Sequence, residues 1–405
     1  MMSLNENKAL PAERPVERHE GMRVLFLIDR CPKQRVGGGA TTALNFIGLL
    51  REPPIEAQID IEALRRRPPL LPHRLQQLLA LIRSLPSSLS SKTLFDLTPN
   101  IMRRIVKRVQ EVPYDIIVID GGQLFVLADQ LPRRTTFLGL AHNVESALYR
   151  EQTKSLRGCP GVRQVFSYDL SKLERAERRG LRAVHNVVCL STEDEAALVR
   201  LEPTIRTLSL PTSFSYPPSR RKRRQPIRRP LKLGFLAKYS WWPNVEAVEW
   251  LVQRVLPSLP VGAVTLLLIG PGGERFAQRD PSIVVRGFVP DLAEFWNESD
   301  IVVCPMMTGS GINIKFIEAI YNGCPVLATS FTKRGLPEFS DPAVVYLDTP
   351  EEWIEFLRSD AAEQLARRRP HGRTSEMFSR PANSKALATF LSNIEMPVRG
   401  PADRA

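Results

Sequence analysis

Short, nearly continuous apolar runs alternate with longer mixed segments along most of the chain. The first run, Val24-Leu25-Phe26-Leu27-Ile28 within residues 22–29, predicts a strand buried on both faces, as in a parallel sheet. Gly37-Gly38-Gly39 then leads into a helix reaching Leu50, without the spacing of a dinucleotide fingerprint. Residues 65–111 read as mainly helical and basic. Residues 115–120 read as a strand with the turn Gly121-Gly122, and 136–140 as a strand ending at Ala141-His142-Asn143-Val144-Glu145. A charged helix is expected over 165–180 and a strand over 184–190. Ser191 or Thr192 is placed to cap the next helix, with Glu193, Asp194 and Glu195 in its first turn.

The alternation restarts in the second half. Strands are expected at 231–236, 264–269, 283–285, 287–289, 301–304 and 325–328, and helices at 244–255, 292–296 and from about 311. Such alternation predicts an α/β protein with parallel sheets covered by helices. We divide the chain into a disordered leader (1–20), a first Rossmann-like domain (21–212), a linker (213–230), a second Rossmann-like domain (231–378), and a C-terminal helix crossing back to the first domain with a tail (379–405). Two such domains face each other across a cleft. Ligands of open α/β sheets bind beyond the carboxyl ends of the strands, where both glycine loops lie.

Length and charge sharpen this. A chain of 405 residues exceeds one typical core. Its net charge of +13 favours acidic partners or reflects an arginine-rich background. The linker holds seven cations without an acid over 220–229. It is a self-repelling spacer or a patch for peripheral contact with an anionic membrane. Nucleic acid ranks below these as a partner, because no aromatics interleave with the cations. Cys31, Cys159, Cys189, Cys304 and Cys324 form no C-x-x-C, which suits buried packing in a reducing cytoplasm. No Asp-x-Asp and no cluster of metal-ligating types occurs, so neither metal nor cofactor is expected.

The candidate chemistry centres on Gly309-Ser310-Gly311 and the residues that follow. On a helix from about residue 311, Ile312, Phe316, Ala319 and Ile320 face the sheet, while Gly311, Lys315, Glu318 and Asn322 share another face. Free N–H groups, the helix dipole and a lysine one turn in make an anion site. A carboxylate further along suits a hydroxyl pair such as a ribose diol. The alternative is an exposed i,i+3 Lys315–Glu318 pair, worth only ~0.3–0.5 kcal/mol.

These residues resemble GT-B-fold glycosyltransferases, in particular family 4. Glu318-Ala319-Ile320-Tyr321-Asn322-Gly323-Cys324-Pro325-Val326 is similar to the second half of that family's glutamate motif, with Ser310 where its first glutamate falls. A bacterial exopolysaccharide-type branch also lacks that glutamate. Gly234-Phe235-Leu236, then Trp242-Pro243-Asn244-Val245-Glu246-Ala247, and Val285-Arg286-Gly287-Phe288-Val289-Pro290-Asp291-Leu292 extend the likeness. His142-Asn143-Val144-Glu145 and Cys189-Leu190-Ser191-Thr192-Glu193 carry it into the first half, over about 22–395 in all.

The resemblance implies retaining, hexosyltransferase-type transfer from a UDP- or GDP-linked sugar to a glycan or lipid-linked acceptor, in polysaccharide or glycoconjugate synthesis. It implies a cytoplasmic setting, if need be at the inner membrane face. By position, Glu318 binds the ribose, and Gly309, Ser310, Gly311 and Lys315 hold the diphosphate. Gly37, Gly38 and Gly39 face it from the other domain, and Lys238 assists. Gly287, Phe288 and Val289 cradle the base. His142 contacts the sugar near its reacting centre. His142 and Glu318 are thus the catalytic candidates. The departure at Ser310 keeps a non-catalytic GT-B module, binding a nucleotide or a protein partner, as the alternative.

Overall fold

The computed structural model describes residues 21–30, 38–65, 72–132, 135–154, 160–214, 218–219, 227–309, 312–336 and 338–394. The leader, Gly37, Ser310, Gly311, linker residues 220–226 and the tail from 395 lie outside the described residues, as do Cys31 and Cys159.

Two six-stranded parallel sheets build the molecule. The first contains β1 (Arg23–Arg30), β2 (Gln58–Arg65), β3 (Ile116–Asp120), β4 (Thr136–Ala141), β5 (Asn186–Cys189) and β6 (Arg206–Ser209), in the order β2-β1-β3-β4-β5-β6. The second contains β7 (Leu231–Leu236), β8 (Val264–Ile269), β9 (Ile283–Gly287), β10 (Ile301–Cys304), β11 (Val326–Ala328) and β12 (Val344–Tyr346), in the order β12-β11-β10-β7-β8-β9. The continuous apolar runs occupy interior positions. β3 and β4 are buried at every residue, and β1 is buried from Val24 to Ile28. Alternate β1 residues feed opposite cores: Val24, Phe26 and Ile28 pack with Phe46 and Leu50, while Leu25 and Leu27 pack with Ile117 and Phe125.

The strands that the apolar runs did not reveal are edge strands. β2 reads Gln-Ile-Asp-Ile-Glu-Ala-Leu-Arg, polar and apolar by turns, because only one of its flanks pairs within the sheet. β6 and β12 are short and only partly buried or exposed along their length. Within 65–111 the basic stretch resolves into helices His73–Ser84, Ser91–Asp96 and Pro99–Glu111, the last two capped by Ser90 and Thr98.

Each sheet has one point where strand order reverses. In the first it lies between β1 and β3, and in the second between β7 and β10. There, successive crossovers leave toward opposite faces and open a crevice at the carboxyl ends. Close packing sets the floor of the second crevice. Gly270, directly after β8, has φ +113°, and a Cβ there would lie 1.9 Å from the Ala237 carbonyl oxygen. Gly270→Ala is expected to cost at least ~3 kcal/mol, from positive φ plus a backbone clash, read as a lowered denaturation midpoint. A loss below ~1 kcal/mol would show that this loop yields easily.

The helix Arg380–Ser392 leaves the second sheet's side and packs on the first. Leu387 and Leu391 join Phe46, Ile47 and Leu50 in one core. Arg380 pairs with Glu52, Asn383 Nδ2 donates to the Pro211 carbonyl at 2.5 Å, and Ser384 Oγ donates to the Pro53 carbonyl at 2.9 Å. Of the expected basic patch at 220–229, Arg229 is engaged internally: it pairs with Glu363 at 3.2 Å and donates to the Leu357 and Ser359 carbonyls. Among the described residues, no helix is long and apolar enough to cross a membrane.

Candidate active site

The second crevice gathers the strongest chemistry. Beyond β7 the chain passes through Ala237 and Lys238 into the helix Trp242–Trp250. Asn244, buried in that helix's first turn, donates from Nδ2 to the Lys238 carbonyl at 2.9 Å. Its Oδ1 accepts from Lys315 Nζ at 2.7 Å. The Lys315 ammonium lies 5.3 Å from the Phe235 ring centre and 3.8 Å from Met306 Sδ, so aromatic and thioether surface replaces part of the water around this half-buried residue. Burial pushes its pKa down to about 8, weakly opposed by the Cys304 thiol. Among the described residues no carboxylate offsets the desolvation of this cation, so an arriving anion would supply its counter-charge.

Gly309 belongs to the same assembly. It has φ +128°, and a Cβ there would approach Pro243, the neighbour of Asn244, at 3.8 Å. The preceding Thr308 hydroxyl donates to Glu246 on the same Trp242–Trp250 helix. The structure thus brings Gly309, Lys315 and the Lys238 backbone around Asn244. The Lys238 side chain itself is exposed.

Two expectations for this element change. The helix starts at Ile314, not near 311, because Asn313 takes the cap position and its side chain accepts from Phe316 N at 3.3 Å. Nor is the Lys315–Glu318 face exposed. Glu318 is 8% exposed and Asn322 fully buried, so nearly the whole circumference of the helix is covered. Lys315 reaches Asn244 instead of forming a surface pair. Asn322 is structural: its Nδ2 donates to the Glu318 carbonyl at 2.8 Å, and its Oδ1 accepts from Ser219 N at 2.9 Å.

Gly287, Phe288 and Val289 stand apart, at the end of β9. Gly287 has φ +64° and its carbonyl accepts from Gly270 N at 2.6 Å. Val289 packs inward, whereas Phe288 is 63% exposed. β9 is two strands from β7, a lateral distance of about 10 Å.

On the first sheet, His142 follows β4 directly and its Nε2 lies 2.5 Å from Asp120 Oδ1, the last residue of β3. Adjacent parallel strands, both ending here, place the two side chains together. Gly38 and Gly39 begin the helix Gly38–Arg51 after β1, next to the same crevice. Sequence reading passed over the Asp120 carboxylate and a second buried group. Asp96 pairs with Arg65 at 3.3 Å and bonds Gln123, and burial raises its carboxyl to about 6. These partners are far apart in sequence, and only strand order unites them. Asn244 was visible in its Trp-Pro-Asn context but carried no charge to mark it.

Where the two sheets meet, contact is close. A Cβ on Gly335 would lie 2.6 Å from Ile312 and 2.7 Å from Ser191 Cβ, the cap of the helix after β5.

Comparison with known proteins follows this division. Residues 230–359 match the family described as glycosyl transferases group 1. That segment contains Asn244, Gly270, Gly287, Gly309, Lys315 and Glu318. No curated protein matches the chain. Among solved structures, HepE of Anabaena, in complex with UDP and glucose, is 16% identical with a TM-score of 0.61, covering 92% of this chain and 100% of that one. The same protein in complex with UDP-glucose gives 15% identity, a TM-score of 0.61 and the same coverage. Sucrose-phosphate synthase of Thermosynechococcus elongatus is 14% identical with a TM-score of 0.62, covering 92% and 98%. At these identities the likeness establishes the architecture, which is the GT-B fold.

Proposed function

We propose that this protein transfers a hexose from a UDP- or GDP-linked donor to a glycan or lipid-linked acceptor, with retention at the anomeric carbon. The observation that carries the reading is Lys315: a desolvated ammonium at the second sheet's strand-order reversal, inside the segment that matches group 1 glycosyl transferases. The donor diphosphate completes its charge pairing. Gly309, at φ +128°, lets phosphate oxygens approach the backbone ahead of the helix Ile314–Tyr321. Glu318, one turn past Lys315, takes the ribose hydroxyls. Phe288, about 10 Å from β7, offers the base an aromatic face.

The first sheet supplies the opposite wall. Gly38 and Gly39 face the diphosphate, and His142, oriented by Asp120, contacts the sugar. Electrostatic stabilisation of the departing diphosphate is the main catalytic contribution of such a site. The resemblance further supports a cytoplasmic role in exopolysaccharide-type synthesis within family 4.

Because HepE was solved with UDP-glucose, that donor is the first to try, beside other UDP- and GDP-sugars. Donor hydrolysis or transfer to glycan acceptors, with UDP protection against thermal unfolding, is the expected result. Protection without any turnover would favour a non-catalytic module, and absence of both would refute the proposal. Glu318→Gln is expected to weaken UDP about tenfold while leaving inorganic pyrophosphate affinity unchanged, since a charged acceptor to a hydroxyl is worth ~1.5–3 kcal/mol. Calorimetric titration of both ligands checks this, and equal losses for both would remove Glu318 from the ribose.

A further inference from the structure

The helix His73–Ser84 turns apolar side chains to solvent. Leu75 is 41% exposed, Leu78 51%, Ile82 53%, and Leu85 at the helix end 51%. At 100° per residue these four fall within about 80° of the circumference, so they form one stripe. Ala80 and Ser84 are buried, and Ser84 bonds the Leu81 carbonyl at 2.7 Å. A second stripe lies alongside, at the start of the helix Pro160–Val184, where Val162, Val165 and Tyr168 are exposed at a spacing of three. Lys172 ties the two together. Its ammonium donates to the Ser84 carbonyl and, at 3.4 Å, to the Leu85 carbonyl, while lying 4.2 Å from the Tyr168 ring centre. Leu85 and Tyr168 thus flank the same ammonium, which sets the two stripes side by side as an apolar face of a kind that soluble surfaces rarely leave open.

The exposed charges along the two stripes have one sign. No acid occurs in the sequence from Ala63 to Phe95, and Arg65 and Lys92 at its ends are engaged with Asp96 and Glu145. Arg83 is exposed on the first helix and Arg163 on the second, and no acid precedes Asp169 on the latter. Apolar side chains and a tyrosine between exposed arginines match the headgroup–acyl boundary of an anionic bilayer. A second copy of this face would set arginine against arginine, which disfavours self-association.

We propose that this face seats the protein on an anionic lipid leaflet. Leu78, Ile82, Leu85 and Tyr168 enter the boundary, and Arg83 and Arg163 meet the phosphates. The same helix touches the first sheet's crevice, because Gln76 Oε1 accepts from Arg65 Nη1 at 3.5 Å and Arg65 pairs with Asp96 at the end of β2. An acceptor anchored in that leaflet is thereby held on the first sheet's side of the cleft. The docking is independent of sugar transfer and is read without it.

Co-sedimentation of the full chain with phosphatidylcholine vesicles, with and without phosphatidylglycerol, tests the proposal. Binding is expected only with phosphatidylglycerol and weakens as salt is added. Leu78→Ser with Ile82→Ser, both solvent-facing, is expected to reduce binding by at least about tenfold at an unchanged melting temperature. Arg83→Glu is expected to reduce it as well. Absence of binding, or equal binding by the variants, overturns the proposal. So does binding abolished by Arg→Ser changes at 220–224 with this face intact. Concentration-dependent self-association that the Leu78/Ile82 variant loses, without vesicle binding, would assign the face to a second copy instead.

Discussion

Lys315→Met is expected to weaken UDP binding by about 10- to 100-fold while leaving the apo protein as stable as the wild type or more so. The first effect follows from removing a charge-assisted contact to phosphate, worth ~1.5–3 kcal/mol. The second follows from the site itself. Burial lowers the Lys315 pKa from its ordinary 10.5 to about 8. Below 8 both folded and unfolded chains carry the proton, and the folded chain bears the cost of desolvating it. Between 8 and 10.5 the unfolded chain still binds a proton that the folded chain has released. Apo stability attributable to this group therefore rises with pH across that window.

Donor affinity runs the other way. It is full while Lys315 is charged and declines as pH rises past about 8, because binding must then take up a proton. Methionine keeps the stem against Phe235 and removes both pH dependences. Calorimetric titration of UDP at pH 7 and 9, with denaturant unfolding at the same pH values, separates the two effects. A variant that binds UDP normally would return Lys315 to a packing role. Asn244→Ala serves as the control: it removes the Oδ1 acceptor and leaves the charge.

The same residues show what the sequence could disclose. Interior strands such as β1, β3, β8 and β10 are continuous apolar runs because a parallel strand covered on both faces has no polar side to show. β2 alternates, and its period was hidden beside the basic stretch that follows. The Gly-Ser-Gly and Lys315 pattern stood out in the sequence because a phosphate site, which we propose here, would constrain residue types over a few positions. The helix start was misplaced by about one turn, since Gly309-Ser310-Gly311 drew attention from Asn313, the better cap. The face assignment was half right. Phe316, Ala319 and Ile320 do pack inward, but Glu318 and Asn322 are buried as well, and periodicity cannot show that a second layer covers a polar face. Pairs such as Asp120–His142 and Arg65–Asp96 depend on which strands are neighbours. Their separations of 22 and 31 positions leave no local period to detect.

His142→Ala is expected to lower kcat by about 10²–10³-fold with UDP affinity within about twofold of wild type. The split follows from the division of labour between the sheets. Lys315, Asn244 and Gly309 stand on the second sheet, and His142 stands on the first, at the end of β4. On the proposed reading, removing it leaves the diphosphate contacts whole and strips the sugar's side of the cleft. On the same reading Asp120 acts on the reaction through His142. A carboxylate 2.5 Å from Nε2 accepts its proton, which fixes the ring's tautomer and orientation. Asp120→Asn keeps the volume and a weaker bond, so kcat is expected to fall about tenfold, with KM for the donor little changed. Asp120→Asn added to His142→Ala should then cost almost nothing further, because a residue that acts through another has no effect once that other is gone. Steady-state kinetics of the two single variants and the double variant, with UDP titrations, measure the coupling. Multiplying losses would make Asp120 an independent element of the site. A His142→Ala enzyme with wild-type kcat would assign the pair to holding the ends of β3 and β4 together.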